Sequence, residues 1–546
     1  FINSDNSIKN SDMFKMRIMG LTSYFRSVQE KLMPRYNENT DLKIIEIDMS
    51  DFQFGIYEEA RVQERKIEDN NKKKQMKKKN KEDDIFNDSV STYRIFSRAF
   101  CNYVFPRPDI KRPMPNDGQS ITDVIENPSL DQDVVEIPNP ELIANDDEGK
   151  YEFDDMKDIK KDIDEKFDNT YEKRVQSALS TLEKNKLKYL SKDALATYSP
   201  KFLNILENIS DDDYKGIHLL YSQFRTLEGV GIFKLVLDAN GYSQFKIKKS
   251  GGEYVLNIQE EDIGKPMYAL YTGTETTEER EIIKNVLNSA WKLVPASIVK
   301  EIFKLAPNNY MGEIIKLLMI TASGAEGITL KNVRYVHITE PYWHPVRTRQ
   351  VIGRARRICS HSELPNELRT VEVFMYIMKF SEKQLMSDSS IELRLKDKSK
   401  LDSKKVVSSD QLLYEICTIK DNINKSILDN VKESAIDCSI HSDSKMGENI
   451  KCFSIGNPKD NNYTYVPNIK DQSVDKIMEM NKKQETIKLR EIEIAEIKYA
   501  YDPDEDKYKK NSYYIVYNYS EYTRGNLLQV GKLSKKPEGG YRFTKI

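Results

Sequence analysis

Two apolar runs of strand length, separated by a turn that contains glycine, constrain the fold of this chain more than any other feature. The runs are Leu317–Ile320 and Val333–Ile338, and the turn between them contains Gly324 and Gly327. Strands that are apolar at nearly every position are typical of a parallel sheet with helices on both faces. Such sheets bind ligands at the carboxyl ends of their strands, so we expect this turn to face a ligand.

The turn offers several chemical groups to a ligand. Thr321 and Ser323 supply hydroxyl groups. Gly324 and Gly327 allow a ligand to approach the backbone closely, because glycine has no side chain. Glu326 supplies a carboxylate that could orient an arginine or a ribose. Each of these residue types also occurs in ordinary turns, so none of them identifies a site alone.

An arginine-rich octet, Gln350 to Arg357, follows the second apolar run. If the octet forms a helix, it places Gln350, Gly353, Arg354 and Arg357 on one face. Arginine stays charged at physiological pH, and its planar fork matches phosphate oxygens. Two arginines one turn apart can therefore stabilise the charge that develops on a transferred phosphoryl group. The alternative is that these arginines only form ion pairs on the protein surface.

Taken in this order, the motifs resemble motifs V and VI of superfamily 2 helicases and translocases, and more narrowly those of Swi/Snf-like ATPases. Residues 216–225 resemble motif IV of the same group, a strand that ends in a Ser-Gln-Phe turn. The sequences of these motifs are most similar to those of the helicases of nucleocytoplasmic large DNA viruses, the relatives of poxvirus nucleoside triphosphatase I and early transcription factor ATPase. The segments that carry this resemblance are 17–25, 49–57, 93–108, 198–202, 324–327, 340–343 and 434–438.

The resemblance implies roles for residues on the nucleotide side. Arg354 and Arg357 would act as arginine fingers, and Gln350 would hold the γ-phosphate or its attacking water. The residues that would contact the nucleotide are Gly324, Glu326, Gly327 and Gly353.

The resemblance also implies a binding partner, which is DNA held without regard to its base sequence. Thr321 and Ser323, together with Ser222 and Arg225 of the Ser-Gln-Phe turn, would contact the DNA backbone. Contacts of this kind recognise phosphates and carry no sequence information.

Two motifs that ATP hydrolysis requires do not occur in this sequence. There is no Gly-x-x-x-x-Gly-Lys-Ser/Thr segment to cradle the phosphates, and no Asp-Glu-x-His segment follows an apolar strand to bind Mg²⁺. The family carries both in an N-terminal RecA-like lobe, and this chain opens on Phe1. We therefore expect the C-terminal part of a two-lobed motor, from a truncated sequence or a split gene. ATP and Mg²⁺ would then be held mainly by the missing first lobe.

The alternation of apolar runs and amphipathic segments predicts an α/β fold. We expect a RecA-like second helicase lobe, with a parallel sheet covered by helices on both faces, helical and irregular insertions, and a small β-rich C-terminal domain. The predicted strands are 42–49, 219–221, 267–271, 317–320, 335–338, 371–378, 513–519 and 540–544, and the predicted helices are 53–64, 227–239, 278–287, 291–306 and 411–431.

Five domains or linkers follow from these elements and from the composition between them. They are a bridging segment after the missing lobe (1–65), a charged insertion with helical parts (66–185), the helicase C-terminal lobe (186–385), a helical extension (386–440), and a polar linker with a small β-rich end domain (441–546).

Composition restricts the setting in which the chain works. The five cysteines include no Cys-x-x-Cys pair, so we expect neither a disulfide framework nor a zinc ribbon, and a reducing compartment. No apolar run approaches the length of about 18 residues that a membrane span requires. The net charge of −2 means that DNA contacts must come from local patches. The resemblance implies the host cytoplasm, in a viral factory, or the virion, with viral RNA polymerase or early transcription factors as further partners.

Two classes of function remain open at this level. The first is the C-terminal half of an ATP-dependent DNA helicase or translocase that serves viral transcription or genome handling. The second is a non-catalytic module, derived from a helicase lobe, that binds DNA or a viral polymerase without hydrolysing ATP. The sequence upstream of this chain distinguishes them, because only the first class requires an adjacent phosphate-binding lobe.

Overall fold

The computed structural model of this protein divides into two compact units. The larger unit comprises Ile2–Ile8 and Arg26–Ile427, and the smaller one comprises Phe1, Lys9–Phe25 and Leu428–Ile546. The structure describes residues 2, 8–23, 32–77, 94–113, 171–273, 275–322, 327–438, 452–453, 489–495, 497–503, 505, 508–509, 512–523, 528–536 and 540–545.

The larger unit is built on a seven-stranded sheet in which every neighbouring pair of strands is parallel. The strand order is β1-β9-β8-β2-β7-β6-β3, and a separate two-stranded hairpin pairs β4 with β5. The strands are Leu42–Asp48 (β1), Ile217–Tyr221 (β2), Ser243–Gln244 (β3), Ile247–Ser250 (β4), Glu253–Leu256 (β5), Met267–Tyr271 (β6), Leu317–Ile320 (β7), Val333–Ile338 (β8) and Glu372–Lys379 (β9).

Helices cover both faces of this sheet, so its central strands are buried at every position. Because successive side chains of a strand point to opposite faces, the two faces build two separate cores. Leu220 and Met319 pack in one core, whereas Leu219 and Leu318 pack in the other. The helices that the structure describes here are Glu38–Asp41, Asp51–Lys77, Ile95–Asn102, Tyr171–Lys184, Lys186–Tyr189, Lys192–Tyr198, Pro200–Ser210, Val230–Ala239, Thr277–Leu287, Ala296–Ile302, Pro345–Ala355, Glu382–Met386, Ile391–Lys396 and Ser409–Glu433.

This architecture confirms the predicted α/β fold with the sheet of a RecA-like helicase lobe. The strand expected near residue 42 forms the edge of that sheet, parallel to β9. The prediction of one helix over 291–306 was wrong, because Pro295 interrupts the segment. A short 3₁₀ turn, Trp291–Leu293, precedes Pro295, and the helix Ala296–Ile302 begins after it. Most of the predicted irregular insertion, 114–170, lies outside the described residues.

A buried ion cluster fastens the long helix Asp51–Lys77 to the segment around Asp397. Arg61, Arg65 and Arg94 all donate to the Asp397 carboxylate, at distances of 2.6 to 3.3 Å. Burial raises the pKa of Asp397, but the three guanidinium groups outweigh burial and hold that pKa below its usual value. A carboxylate buried without such partners would be strongly destabilising, so the cluster depends on all of its members being present.

The smaller unit contains the helix Ser11–Ile18 and an antiparallel sheet of five strands in sequential order. The strands of this sheet are Arg490–Ile494 (β10), Ile497–Tyr501 (β11), Tyr514–Asn518 (β12), Gln529–Lys535 (β13) and Tyr541–Lys545 (β14), with the helix Tyr519–Thr523 after β12. This sheet confirms the β-rich domain that was predicted at the C-terminal end.

Cys438 and Cys452 form one disulfide in the smaller unit, a bond that was not foreseen when we expected no disulfide framework. The two cysteines lie 14 residues apart, so no short motif signals their pairing. The pairing results from the tertiary fold, and composition alone does not reveal it. Among the described residues, no helix has the length and apolar character needed to cross a lipid bilayer.

Two buried histidines form a chain of hydrogen bonds across the middle of the large sheet. His218 Nε2 donates to Tyr214 O at 3.0 Å, which leaves His218 Nδ1 to accept from His337 Nε2 at 3.0 Å. His337 Nδ1 then accepts from the Tyr376 hydroxyl at 2.8 Å, and Asn208 donates to that hydroxyl at 2.9 Å. Every group is satisfied in this arrangement only when both histidines are neutral.

This chain predicts that the larger unit loses stability in acid. Burial lowers the pKa of His337 from 6.5 to about 3, so the unfolded state binds a proton that the folded state rejects. The free energy of unfolding should fall as pH drops from about 6.5 towards about 3, by up to about 1.4 kcal/mol per pH unit for each such histidine. The free energy of unfolding, measured by urea titration at several pH values, should depend more steeply on pH for the native protein than for His337→Gln. Equal pH dependence in the two proteins would contradict this account.

Candidate functional site

The carboxyl ends of three neighbouring strands bring the predicted site residues to one edge of the large sheet. β2 leads into Ser222 and Arg225, β7 leads into Thr321, and β8 leads through a short loop into the helix Pro345–Ala355. Because these strands are parallel and adjacent, their carboxyl ends lie side by side. We call this border of the sheet the carboxyl edge.

The turn after β7 is described only at its two ends. Thr321 is fully buried, and Ser323, Gly324 and Glu326 lie outside the described residues. Gly327 has a φ of 74°, a left-handed conformation that residues with a side chain rarely adopt. The backbone therefore requires glycine at this end of the turn.

Arg354 connects the arginine-rich helix to this turn. Its side chain is 8% exposed, and its Nη1 donates to Ile328 O, one residue beyond Gly327, at 3.3 Å. A guanidinium group is thus held, largely out of water, next to the glycine turn. Gln350 lies half-buried one turn earlier on the helix. A Cβ added at Gly353 would meet nothing within 4 Å, so open space borders this part of the helix.

The helix ends earlier than the sequence pattern predicted. The prediction that Arg357 shares a helix face with Gln350 and Arg354 was therefore wrong. The last helical residue is Ala355, and Arg356 adopts a non-helical φ of −106° and ψ of 74°. The Ser360 hydroxyl donates to Ala355 O at 3.1 Å and accepts from Arg357 N at 3.3 Å, which caps the helix end. Arg357 is therefore exposed in the loop that follows the helix.

Arg356 points away from the glycine turn. Its Nε donates to Pro34 O at 3.4 Å, and its guanidinium lies 5.7 Å from the centre of the Tyr36 ring. Burial raises the pKa of Tyr36 to about 12, so its hydroxyl stays neutral beside these charges. The segment around Pro34 thereby fixes the end of the helix between Arg354 and Arg357.

Glu340 is the residue of this edge that sequence reasoning missed as a site residue. It follows β8, is 1% exposed, and accepts from the Ser222 hydroxyl at 3.1 Å and from the backbone N–H of Gln223. Asn102 Nδ2 donates to it at 3.1 Å. Burial raises the pKa of the Glu340 carboxyl. A carboxylate two residues after a largely apolar strand was the available signal.

The hydrogen bonds continue from Glu340 into the helical layer. Asn102 Oδ1 accepts from Lys201 Nζ at 2.9 Å, and Lys201 Nζ also donates to Asp410 at 2.6 Å. Asp410 accepts in turn from the backbone N–H of Met378 in β9, at 3.1 Å. We call the set of Ser222, Glu340, Asn102, Lys201 and Asp410 the edge network. It ties the turns after β2 and β8 to the carboxyl end of β9.

The predicted backbone contacts differ in accessibility. Ser222 is fully buried, and its hydroxyl is already engaged by Glu340. Arg225 is half-buried three residues later. Gly231 N donates to Arg225 O at 2.8 Å, and a Cβ at Gly229 would lie 1.9 Å from Phe224 O. The turn after β2 is therefore tightly folded, with glycine required at residue 229.

The described residues fit one part of Mg-ATP. Arg354, Arg357 and Gln350 supply donors that suit phosphate oxygens, and the open space beside Gly353 leaves room for such a group. No group of three or more His, Cys, Asp or Glu side chains in the described part of the chain could hold a metal ion. The described part of this edge therefore offers donors that suit an anion, and its described residues do not form a Mg²⁺ site.

Comparison with known proteins identifies a domain in this region. Residues 296–359 match the family described as Helicase conserved C-terminal domain, which includes the turn after β7 and the arginine-rich helix. The chain therefore carries a helicase C-terminal domain.

Relatives come from large DNA viruses. A mimivirus protein (Acanthamoeba polyphaga mimivirus), assigned as an ATP-dependent RNA helicase, is 26% identical over 81% of this chain and 49% of its own length. The Termination factor NPH-I homolog of African swine fever virus (isolate Pig/Kenya/KEN-50/1950) is 30% identical over 47% of this chain and 35% of its own length. The chain thus spans about half, or less, of the length of these two relatives.

A solved structure of the C-terminal part of the Fun30 ATPase domain aligns at 16% identity. The alignment covers 72% of this chain and 99% of that one, with a TM-score of 0.32. A TM-score this low carries no argument, so the fold assignment rests on the strand order and on the domain match.

The edge network predicts a large loss of stability when Glu340 is removed. Glu340→Ala would leave the buried donors of Ser222, Gln223 and Asn102 without an acceptor, at about 1 to 3 kcal/mol each. The free energy of unfolding should fall by at least about 3 kcal/mol in chemical denaturation. As a control, Glu301→Ala, which removes an exposed pair with Lys304, should change it by less than about 0.5 kcal/mol. If both variants lost a similar free energy of unfolding, Glu340 would not stabilise the turns at this edge.

Proposed function

We propose that this chain supplies the second lobe of an ATP-dependent helicase or translocase that moves along DNA. In this proposal the carboxyl edge is the working surface, with the arginine-rich helix on the nucleotide side and the turns after β2 and β7 on the nucleic-acid side. A first RecA-like lobe would provide the phosphate cradle and the Mg²⁺ ligands, because this sequence contains neither motif.

The observation that carries the proposal is the hydrogen bond from Arg354 to Ile328 O, beside the glycine turn. A guanidinium group in a site of this kind interacts strongly with developing negative charge, because little water competes with it. Arg357 is exposed just beyond the helix end, and it can reach a phosphate that approaches from outside the lobe. We infer that Arg354 and Arg357 act as arginine fingers and that Gln350 positions the γ-phosphate or its attacking water.

The nucleic-acid side is proposed to contact the phosphate backbone. Thr321 and Ser323 lie at and beyond the end of β7, and Arg225 lies in the turn after β2. Because Ser222 and Thr321 are fully buried and the Ser222 hydroxyl donates to Glu340, we infer that these two residues mainly shape their turns and that Arg225 supplies the positive charge. Such contacts suit phosphate oxygens and do not reach base edges.

The names of the relatives guide the proposed biological setting. One relative is named as a termination factor homolog and another is assigned as an RNA helicase, both from large DNA viruses. We propose a role in viral transcription or genome handling, in the viral factory or the virion, with viral RNA polymerase or early transcription factors as partners. Duplex DNA, single-stranded DNA and RNA are therefore the substrates to compare.

The isolated chain should have no ATPase activity above the uncatalysed rate. The reason is that its sequence contains neither the phosphate cradle nor the Mg²⁺ carboxylates that hydrolysis requires. Phosphate release should be measured for purified residues 1–546 with Mg-ATP, with and without DNA or RNA. Robust turnover stimulated by nucleic acid would show that the nucleotide site has been assigned to the wrong lobe.

The two proposed arginine fingers should be essential once a first lobe is supplied in cis or in trans. Arg354→Ala and Arg357→Ala should each lower kcat by about 10³- to 10⁵-fold, the range found for arginine fingers. Affinity for nucleic acid should change far less. Arg356→Ala is the matched control, because its guanidinium contacts Pro34 O instead, and its kcat should fall much less. Near-native turnover in both finger variants would mean that Arg354 and Arg357 are structural and do not act as arginine fingers.

A further inference from the structure

The hairpin β4–β5 projects from the sheet close to the proposed nucleic-acid side. It follows β3, the edge strand next to β6, within three residues. Because β3 is parallel to β6, the chain leaves β3 in the direction of the carboxyl edge. Neighbouring strands lie about 4.8 Å apart, so β3 is about 10 Å from β7. The Tyr254 hydroxyl of β5 donates to Glu278 at 2.6 Å, in the first turn of the helix that follows β6, so the hairpin contacts the lobe on the side of the carboxyl edge.

The outer face of this hairpin carries two lysines and one glutamate, Glu253, which pairs with Ser250 near the tip. Lys248 pairs with Val255 across the hairpin, and Lys246 precedes it by two residues, so both lysines point to the same side. Both are exposed. Lys249 points to the opposite side, where it lies 3.8 Å from Glu278 and over the Tyr254 ring. The inner face is therefore held by the lobe, and the outer face remains in solvent.

Two further lysines lie behind the hairpin. Burial raises the pKa of Asp238, and the charges of three lysines lower it. These lysines are Lys234 of the helix Val230–Ala239, Lys186 and Lys246. Asp238 is the carboxylate at the centre of this group, and it already accepts from the Tyr268 hydroxyl at 2.7 Å. Burial and then the charge of Lys246 lower the pKa of Lys234, while Asp238, Glu183 and Glu275 act in the opposite direction. Lys186, Lys234 and Lys246 are therefore balanced by these three carboxylates, and the excess of positive charge lies on the hairpin, where residues 246–256 contain three lysines and one glutamate.

The lysines of this group make no close ion pair. Within the part of the chain that the structure describes, Lys186, Lys234, Lys246 and Lys248 have no carboxylate oxygen within 4 Å, whereas Lys284 and Lys304 are each paired with the carboxylate three residues before them. The net charge of the chain is −2, so a local excess of this kind is not a general property of its surface. The tip residues Gly251 and Gly252 carry no side chains that would obstruct a ligand.

We propose that Lys246 and Lys248, supported by Lys234 and Lys186, bind the phosphate backbone of the nucleic acid that crosses the carboxyl edge. This inference rests on the proposed function, and it adds a second contact point to Arg225. Along the axis of a duplex the phosphates of one strand are spaced by about 3.4 Å, so the separation of about 10 Å between β3 and β7 corresponds to about three nucleotides of a duplex strand. One strand can therefore contact the turn after β7 and the hairpin together.

The test compares two double variants of the full chain that remove the same charge. Lys246→Gln with Lys248→Gln is the test variant, and Lys284→Gln with Lys304→Gln is the control. Labelled single-stranded DNA, duplex DNA and RNA of unrelated sequence are titrated at several salt concentrations, and log Kobs is plotted against log salt. Thermal unfolding of each variant checks that the fold is retained.

The test variant should lose about 0.7 to 0.9 from the magnitude of the salt slope for each phosphate contact removed. Its affinity should fall by at least threefold at low salt, and the control should match the native protein. The nucleic acid that shows the largest loss identifies the form that the hairpin contacts. If the native protein binds and the test variant equals the control, the hairpin proposal is overturned but the proposed function stands. If the native protein binds none of the three, the proposed function fails as well.

Discussion

The buried carboxylate of Glu340 is the interaction on which the geometry of the carboxyl edge depends. Three neighbouring parts of the protein donate to it: the Ser222 hydroxyl, the Gln223 backbone and the Asn102 amide. A carboxylate in the protein interior is strongly unfavourable unless donors surround it. The strands would form without Glu340, because buried apolar side chains stabilise them. The turns that follow the strands, however, would have no fixed arrangement. The site residues are positioned by those turns.

The same physical solution recurs wherever irregular segments meet the sheet. Asp397 accepts hydrogen bonds from three arginines and so joins the long helix Asp51–Lys77 to the segment that follows the sheet. Asp410 pairs with the fully buried Lys201. Glu228 accepts from Arg112 at 2.5 Å with both side chains buried. Apolar burial thus builds the two cores, and buried ion pairs join peripheral elements to them. Removing one partner of such a pair leaves an uncompensated charge, which makes these contacts specific.

The sheet was predictable from sequence, whereas much of the site was not. β7 is apolar at every position and β8 at most positions, as expected for strands with helices on both faces, and that pattern is local to each strand. β3 to β5 were missed because they are only two to four residues long, too short for the alternation of a strand to show. The helix end at Ala355 depends on Ser360 and on Pro34, which lies over 300 residues away. Glu340 owes its role to Asn102 and Ser222, so its importance appears only in the folded chain. The assignments of the finger and backbone residues remain predictions.

The central claim is that the carboxyl edge is the working surface of this lobe. Hydrogen exchange of the backbone amides tests it most directly, with the chain free, bound to nucleic acid, and joined to a first lobe with ADP and aluminium fluoride. The account predicts added protection in the turns after β2, β7 and β8 and at the end of the arginine-rich helix. The opposite edge, around residues 211–216 and 312–316, should be unchanged. Protection at that opposite edge, with none at the carboxyl edge, would contradict the account.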